Sequence, residues 1–192
     1  MDVSYEAVRY WWHKFGSQFA HQIKKRRVVG MQSSHWKWHL DEVFVKINGE
    51  RHYLWRAVDH EGEVLESYVT KNRDIKAALK FMKKAMRRYG SPDKIVTDKL
   101  RSYCAATKEL GCSDKQVTER WANNRVENSH LPFRRRERAM LRFRRMHSLQ
   151  KFASIHASFH NLFNSQRSLS KLSTFKINRD AALADWRSLV TS

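Results

Sequence analysis

Asn48-Gly49 stands between two runs of strand-forming residues, and it constrains the fold more than any other dipeptide in the chain. Both residues tolerate positive φ, which a tight hairpin demands, so the pair is the strongest short hairpin signal. Trp38–Ile47 reads as one strand and Arg51–Asp59 as the other. With Asn48 and Gly49 as the loop, Ile47 pairs with Glu50. Counting back sets Asp41 opposite Arg56 and Trp38 opposite Asp59. Paired residues share a face, and faces alternate along a strand. Asp41 and Asp59 therefore point to opposite faces, and Asp59 is the wrong aspartate to join Asp41 in one site unless a bulge intervenes.

The remaining pattern extends this hairpin into a mixed α/β unit. A turn at His60-Glu61-Gly62 leads to a third strand, about Val64–Thr70. The spacing of Ile75, Ala78, Leu79, Met82, Met86 and Tyr89 predicts a helix over about Asp74–Tyr89, stopped by Gly90 and Pro92. Lys94–Thr97 is a short strand ending in Asp98, Leu100–Leu110 is helical, and Gln116–Trp121 is a candidate fifth strand. A helix starts near Asn124 and carries Glu127, with Pro132 expected to interrupt or kink it. A last helix starts at Ser148. In front of the strands, Ser4 caps a helix whose stripe is Ala7, Val8, Trp11 and Phe15, with Gly16 after it. Residues 17–35, with Lys24-Lys25-Arg26-Arg27, read as a basic linker. The expected division is 1–35, a mixed α/β core at 36–166, and a tail at 167–192.

The helix between strands three and four is long enough for a parallel crossover. The fourth strand can skip strand three and lie beside strand one, parallel to it. Asp98, at its carboxyl end, then comes near the middle of strand one, and such ends favour sites. Asp41 and Asp98 could share a divalent metal there. A third carboxylate, Glu127, on a helix crossing the sheet would complete an oxygen-rich site suited to Mg²⁺ or Mn²⁺. Two such ions, about 4 Å apart, can activate water and stabilise a leaving 3′ oxygen in phosphodiester attack. Each acid taken alone has a plainer reading. Asp98 suits a turn or helix cap, Asp41 a strand position beside Arg56, and Glu127 a solvated charge against Arg125 or Arg134.

Charge points to the partner. The 192 residues hold 38 Lys and Arg against 19 Asp and Glu, a net charge of +19. Such a chain favours polyanions. The sharpest block runs from Arg134 to Arg145: Arg134, Arg135, Arg136, Arg138, Arg142, Arg144 and Arg145, with one acid, Glu137. Arginine suits bidentate phosphate contact, so these seven are the candidate DNA-binding residues. Arg134 follows Glu127 by two helical turns and shares its face if the helix survives Pro132.

Several classes drop out. No apolar run is long enough for a membrane span, and no apolar stretch follows a charged start as in a signal peptide. Two cysteines, Cys104 and Cys112, make no disulfide framework and no CxxC pair, which fits a reducing cytoplasm. His156 and His160 are four apart but lack the glutamate of H-E-x-x-H, so they read as structural or exposed. His39 and His130 lie closer to the proposed site, though imidazole is not the expected ligand for Mg²⁺. Neither a phosphate-binding P-loop nor a G-x-S-x-G nucleophile elbow is present.

The segments Trp38-His39-Leu40-Asp41-Glu42-Val43 and Tyr53-Leu54-Trp55-Arg56-Ala57-Val58-Asp59 resemble the bacterial insertion-sequence transposases of the "IS six" family. So do Val96-Thr97-Asp98-Lys99-Leu100-Arg101-Ser102-Tyr103 and Asn123-Asn124-Arg125-Val126-Glu127-Asn128-Ser129-His130, with Arg134-Arg135-Arg136-Glu137-Arg138 after them. The resemblance covers nearly the whole chain. It implies a ribonuclease-H-like five-stranded sheet flanked by helices and an Asp-Asp-Glu triad of Asp41, Asp98 and Glu127. It implies Mg²⁺- or Mn²⁺-dependent cutting and strand joining at inverted-repeat ends. It also implies double-stranded DNA as partner and substrate, a homo-oligomer on that DNA, and a place on the bacterial nucleoid. Between Asp98 and Glu127 28 residues intervene, where the family usually has thirty-odd. Residues 2–9 resemble the recognition half of the family's helix-turn-helix, which implies a truncated copy. The rival readings are a catalytically inactive, basic DNA-binding protein and a nuclease or retroviral-type integrase on the same core.

Overall fold

The computed structural model describes residues 2–30, 37–118, 123–139, 143–163 and 171–191. The hairpin forms as the dipeptide demands: Asn48 and Gly49 adopt φ of 50° and 84°, the left-handed values of a two-residue loop. Strands β1 (Lys37–Ile47) and β2 (Glu50–Val58) pair antiparallel with Ile47 opposite Glu50 and Asp41 opposite Arg56. That is the register the loop length predicts. Strand β3 (Val64–Thr70) adds antiparallel to β2, with a register shift at Ala57/Val58.

Helix α2 (Ile75–Tyr89) carries the chain across the sheet to β4 (Lys94–Val96). Asp74 caps it, its side chain accepting from Ala77 N at 2.8 Å. Strand β4 lies parallel to β1, after which α3 (Arg101–Glu109) leads to β5 (Gln116–Val117), parallel to β4. The sheet order is β3-β2-β1-β4-β5. One face is closed by α2 and α3 around Trp38, Leu40, Trp55, Phe81, Ile95 and Tyr103. These apolar residues alternate on β1 and β2 and recur at helical spacing on α2, so one side of each element is withdrawn from water.

The other face meets α4 (Asn124–Ala139) and the start of α5 (Met146–Phe163). Arg56 and Phe133 are buried there, and Phe133 packs against Phe152. Helix α4 continues through Pro132, so of the two expected outcomes, an interruption or a kink, the interruption does not occur. Proline removes one backbone hydrogen bond from the helix. Arg56 supplies another in the same stretch, its Nη1 donating to the Ser129 carbonyl at 2.8 Å. At the outer edge, Gln150 fills the open ladder of β3. Its Nε2 donates to Ser67 O at 2.8 Å, and its Oε1 accepts from Val69 N at 2.9 Å. A covered edge cannot template further strands.

Met31–Ser154 forms one compact unit, and Met1–Gly30 with Ile155–Ser192 forms a second, helical one. Two expectations fail in the helical unit. Residues 17–30 are not linker: α1 runs unbroken from Tyr5 to Gly30. Gly16 does not cap it, because its missing side chain serves packing instead. A Cβ there would stand 3.3 Å from Ile155 Cδ1. The inner stripe is Gly16, Ala20 and Ile23 with Trp12 and Phe19 beside it, while Val8 and Trp11 are exposed. Nor is the end of the chain a tail. Helix α6 (Leu172–Val190) buries Ala182 and Leu189 and packs Trp186 on Phe19, Phe159 and Phe163. No helix among the described residues is long and apolar enough to cross a membrane.

Candidate active site

The parallel register of β4 builds the site. Lys94 lies opposite Lys37, Ile95 opposite Trp38 and Val96 opposite His39. Carried two residues further, the same register sets Asp98 opposite Asp41. Carboxylate oxygens of Asp41, Glu42 and Asp98 all lie within 4.8 Å of one another. Like charges this close repel, and a divalent cation of hard character is the natural way to hold them together.

Each acid is positioned differently. Asp41 projects from the middle of β1 toward α4, where its Oδ2 accepts from His130 Nε2 at 3.1 Å. That contact assigns the imidazole proton to Nε2. Burial holds the imidazole below its ordinary pKa even though the Asp41 contact pulls it up. Arg56, across the ladder from Asp41, spends its charge on Ser129 O and the Phe133 ring. Asp98 divides its two oxygens. Oδ1 accepts from Leu100 N at 3.0 Å, the role of a turn residue, and Oδ2 lies 3.9 Å from Arg73 Nη2. Burial raises its pKa, the Leu100 amide opposes that, and the Asp41 charge adds to the rise.

Glu42 is the member that sequence reasoning missed. Its side chain is only 2 % exposed and pairs with Arg73. Burial pushes its carboxyl up to about 7, with Arg73 opposing and the charges of Asp41 and Asp98 adding. The buried Tyr103 hydroxyl sits beside it and is itself driven up, first by burial and then by the Glu42 charge. A signal was available: Glu42 alternates with Trp38 and Leu40 on the apolar face of β1, where a charge needs a reason. Arg73, which closes the cluster from the loop before α2, carried no such signal.

Glu127 stands outside this cluster, exposed in the first turn of α4. Its neighbours on the helix nevertheless engage β1. Asn123 Nδ2 donates to Leu40 O at 2.9 Å, His130 meets Asp41, and Arg134 Nη2 donates to Phe44 O at 2.6 Å. Positions 123, 127, 130 and 134 form one helical stripe, so Glu127 lies on the side of α4 that follows β1 past Asp41.

The arginine block splits. Arg134 is tied to protein: besides Phe44 O, its Nη1 pairs with Glu137 Oε2 at 2.5 Å, and its guanidinium lies over the Phe44 ring. Arg135, Arg136, Arg138, Arg144 and Arg145 are exposed, and Arg142 lies outside the described residues. The Arg144 carbonyl accepts from Asn48 Nδ2 at 3.0 Å, which anchors that end of the block at the hairpin loop. The rings of His156 and His160 stack at 5.7 Å, and neither belongs to the carboxylate cluster. Cys104 and Cys112 are free thiols.

A family model for the DDE domain of IS240-type transposases matches residues 35–166. The transposase of the insertion-sequence-like element IS431mec from Staphylococcus aureus strain Mu50 is 30 % identical over 135 residues, 68 % of this chain and 58 % of that protein. The transposase of IS257 in transposon Tn4003, also from Staphylococcus aureus, matches equally, so this chain spans just under three-fifths of the length of these relatives. Among solved structures, the HTLV-2 integrase catalytic core in complex with magnesium matches at TM-score 0.51 and 16 % identity, over 70 % of this chain and 90 % of that one. A chain of the simian T-cell lymphotropic virus intasome, solved with a PP2A regulatory subunit, matches at 0.52 and 16 %, over 72 % and 52 %. At such identity these two likenesses establish the ribonuclease-H-like fold alone. The sequence match decides the family: the chain belongs to the DDE transposases of the "IS six" insertion-sequence family, with the IS240-type DDE domain at residues 35–166.

Proposed function

We propose that this chain is the catalytic part of a transposase that cuts DNA at the inverted-repeat ends of an insertion sequence and joins them to target DNA. Asp41, Asp98 and Glu127 are its acidic triad, and Mg²⁺ or Mn²⁺ is its ion. One observation carries the reading: β4 lies parallel beside β1 in the register that gathers the oxygens of Asp41 and Asp98. The donors are carboxylate oxygens only, which suits a hard divalent ion.

When bound, divalent ions at such a site activate water and stabilise a leaving 3′ oxygen. The chain's own groups do the rest. Asp41 and Asp98 would hold the ion, from two strands whose spacing the ladder fixes. His130 would orient the Asp41 carboxylate through Oδ2. Glu127 supplies the third carboxylate from the stripe that also carries Asn123 and His130. Arg135, Arg136, Arg138, Arg142, Arg144 and Arg145 take phosphates of double-stranded DNA, while Arg134 braces α4 against β1. Membership of the transposase family supports DNA as the substrate; a homo-oligomer on that DNA, at the nucleoid, completes the proposal.

The test is strand cleavage and transfer with end-labelled inverted-repeat DNA, with and without Mg²⁺. Products should form only with the ion and disappear in Asp41→Asn, Asp98→Asn and Glu127→Gln, with DNA binding retained. Products that form without any divalent ion would overturn the reading. Full activity in Glu127→Gln would remove Glu127 from the triad.

A further inference from the structure

Arg73 lies inside the acidic cluster, which is an unusual place for a cation at a site that must admit another. Its Nη2 contacts Glu42 Oε1 and lies 3.9 Å from Asp98 Oδ2. Asp98 gives Oδ1 to the Leu100 amide, so Oδ2, with no amide on it, carries the fuller charge toward a cation. Guanidinium and metal therefore contend for the same atom. We propose that Arg73 is a built-in counter-cation, which fills the charge position between Glu42 and Asp98 before metal loading and yields it when a divalent ion binds. The inference rests on the metal-dependent reading above.

The loop is built so that the side chain, rather than the backbone, makes this exchange. On one side, Trp55 Nε1 donates to Thr70 Oγ1, and Thr70 Oγ1 donates to the Asn72 carbonyl, both at 2.7 Å. On the other, Asp74 caps α2. Backbone is pinned on both sides of Arg73, yet its side chain is 40 % exposed. It also lines an open cleft with Arg51, Lys71, Asn72 and Asp74, which gives a displaced guanidinium a route to solvent. The arrangement pairs buried Glu42 with a cation before any divalent ion binds, where an unpaired charge would be costly. The same contact weakens the site for the metal.

Mn²⁺ binding to the full chain, read by electron paramagnetic resonance of the free ion, tests this without any DNA or turnover. Removing one positive charge a few ångströms from a divalent ion should strengthen its binding by about tenfold in Arg73→Gln. Arg73→Lys keeps the charge and should stay within about threefold of the natural chain. Asp98→Asn should lose the site in either background. Equal or weaker Mn²⁺ binding in a folded Arg73→Gln would overturn the proposal and leave the metal reading intact. No Mn²⁺ binding in either chain would sink both. A second measurement covers a variant that fails to fold. In the natural chain, the Arg73 side-chain Nε–H resonance should move toward that of a solvated arginine as Mg²⁺ is added. A resonance unmoved at saturating Mg²⁺ would equally overturn the proposal.

Discussion

Asp59 and Asp98 stand at the ends of β2 and β4, each followed by a turn, and they meet opposite fates. Asp59 is 2 % exposed, and its Oδ1 accepts from the amides of Glu61 and Glu63, both at 2.9 Å. It is a turn-former. Asp98 gives one oxygen to the Leu100 amide and keeps the other for the cluster with Asp41 and Glu42. Strand direction makes the difference. β2 runs antiparallel to β1, so its carboxyl end faces the start of β1, before Asp41. β4 runs parallel, so its carboxyl end comes level with Asp41. Both turns draw on Oδ1, so a carboxylate becomes available for chemistry here when strand direction delivers it beside other acids.

Exchanging the two roles by mutation is the strongest way to break this comparison. Asp98→Asn should reduce Mg²⁺-dependent strand transfer by on the order of 10³-fold, the scale for losing a charge aimed at the transition state. Asp59→Asn should leave the rate within a few-fold of the natural chain. Its cost should appear in urea denaturation as about 1–3 kcal/mol, the range for a disturbed buried hydrogen-bonding group. A dead Asp59→Asn with an active Asp98→Asn would reverse the assignment.

His130 sharpens the comparison, because it decides which Asp41 oxygen remains unspent. His130→Ala should weaken Mn²⁺ binding by about 10- to 100-fold, as for other groups that orient a metal ligand. His130→Gln, which can still donate, should recover part of that affinity. Unchanged affinity in a folded His130→Ala would show that the contact only packs α4.

The same distinction between spent and unspent groups predicts behaviour within the arginine block. Replacing Arg135, Arg136 and Arg138 by Ala should lower the log–log slope of DNA affinity against salt by about 0.9 for each phosphate no longer neutralised. Arg134→Ala should leave that slope unchanged and cost about 1–2 kcal/mol of stability instead, since its donors serve Phe44 and Glu137. Last and smallest, Gly49→Ala strains a φ of 84° and should cost about 1 kcal/mol without altering strand transfer.

The sheet was legible because its signals are local and mutually consistent. A two-residue loop with two left-handed positions fixes the β1–β2 register, and the apolar periodicity of α2 implies a crossover that returns β4 parallel. Asp41 and Asp98 follow from those two facts. Glu42 did not, because alternation sends it to the face opposite Asp41, although oxygens of all three acids lie within 4.8 Å of one another. Arg73 depends on a loop geometry that no pattern encodes. In the helical unit, Gly16 misled because glycine serves both helix ends and close packing, and here Ile155 takes the space of its missing side chain. Helix α6 was hidden because its apolar residues do not form one stripe: Ala182 and Leu189 are buried, while Leu172, Ile177, Leu183 and Val190 are exposed.

The central claim is that Asp41 and Asp98 jointly hold one cation site while Asp59 holds none. Fe²⁺ bound in place of Mg²⁺ and supplied with hydrogen peroxide and ascorbate reduces the peroxide to hydroxide and a hydroxyl radical, ascorbate returning Fe³⁺ to Fe²⁺; the radical cuts the nearest backbone, and the cut positions can be read by mass spectrometry of the full chain. The account predicts cuts in β1 around Asp41 and just after β4 around Asp98, both suppressed by excess Mg²⁺, with none in the turn at 59–63. Cuts confined to one of the two strands, or clustered at Asp59, would contradict it.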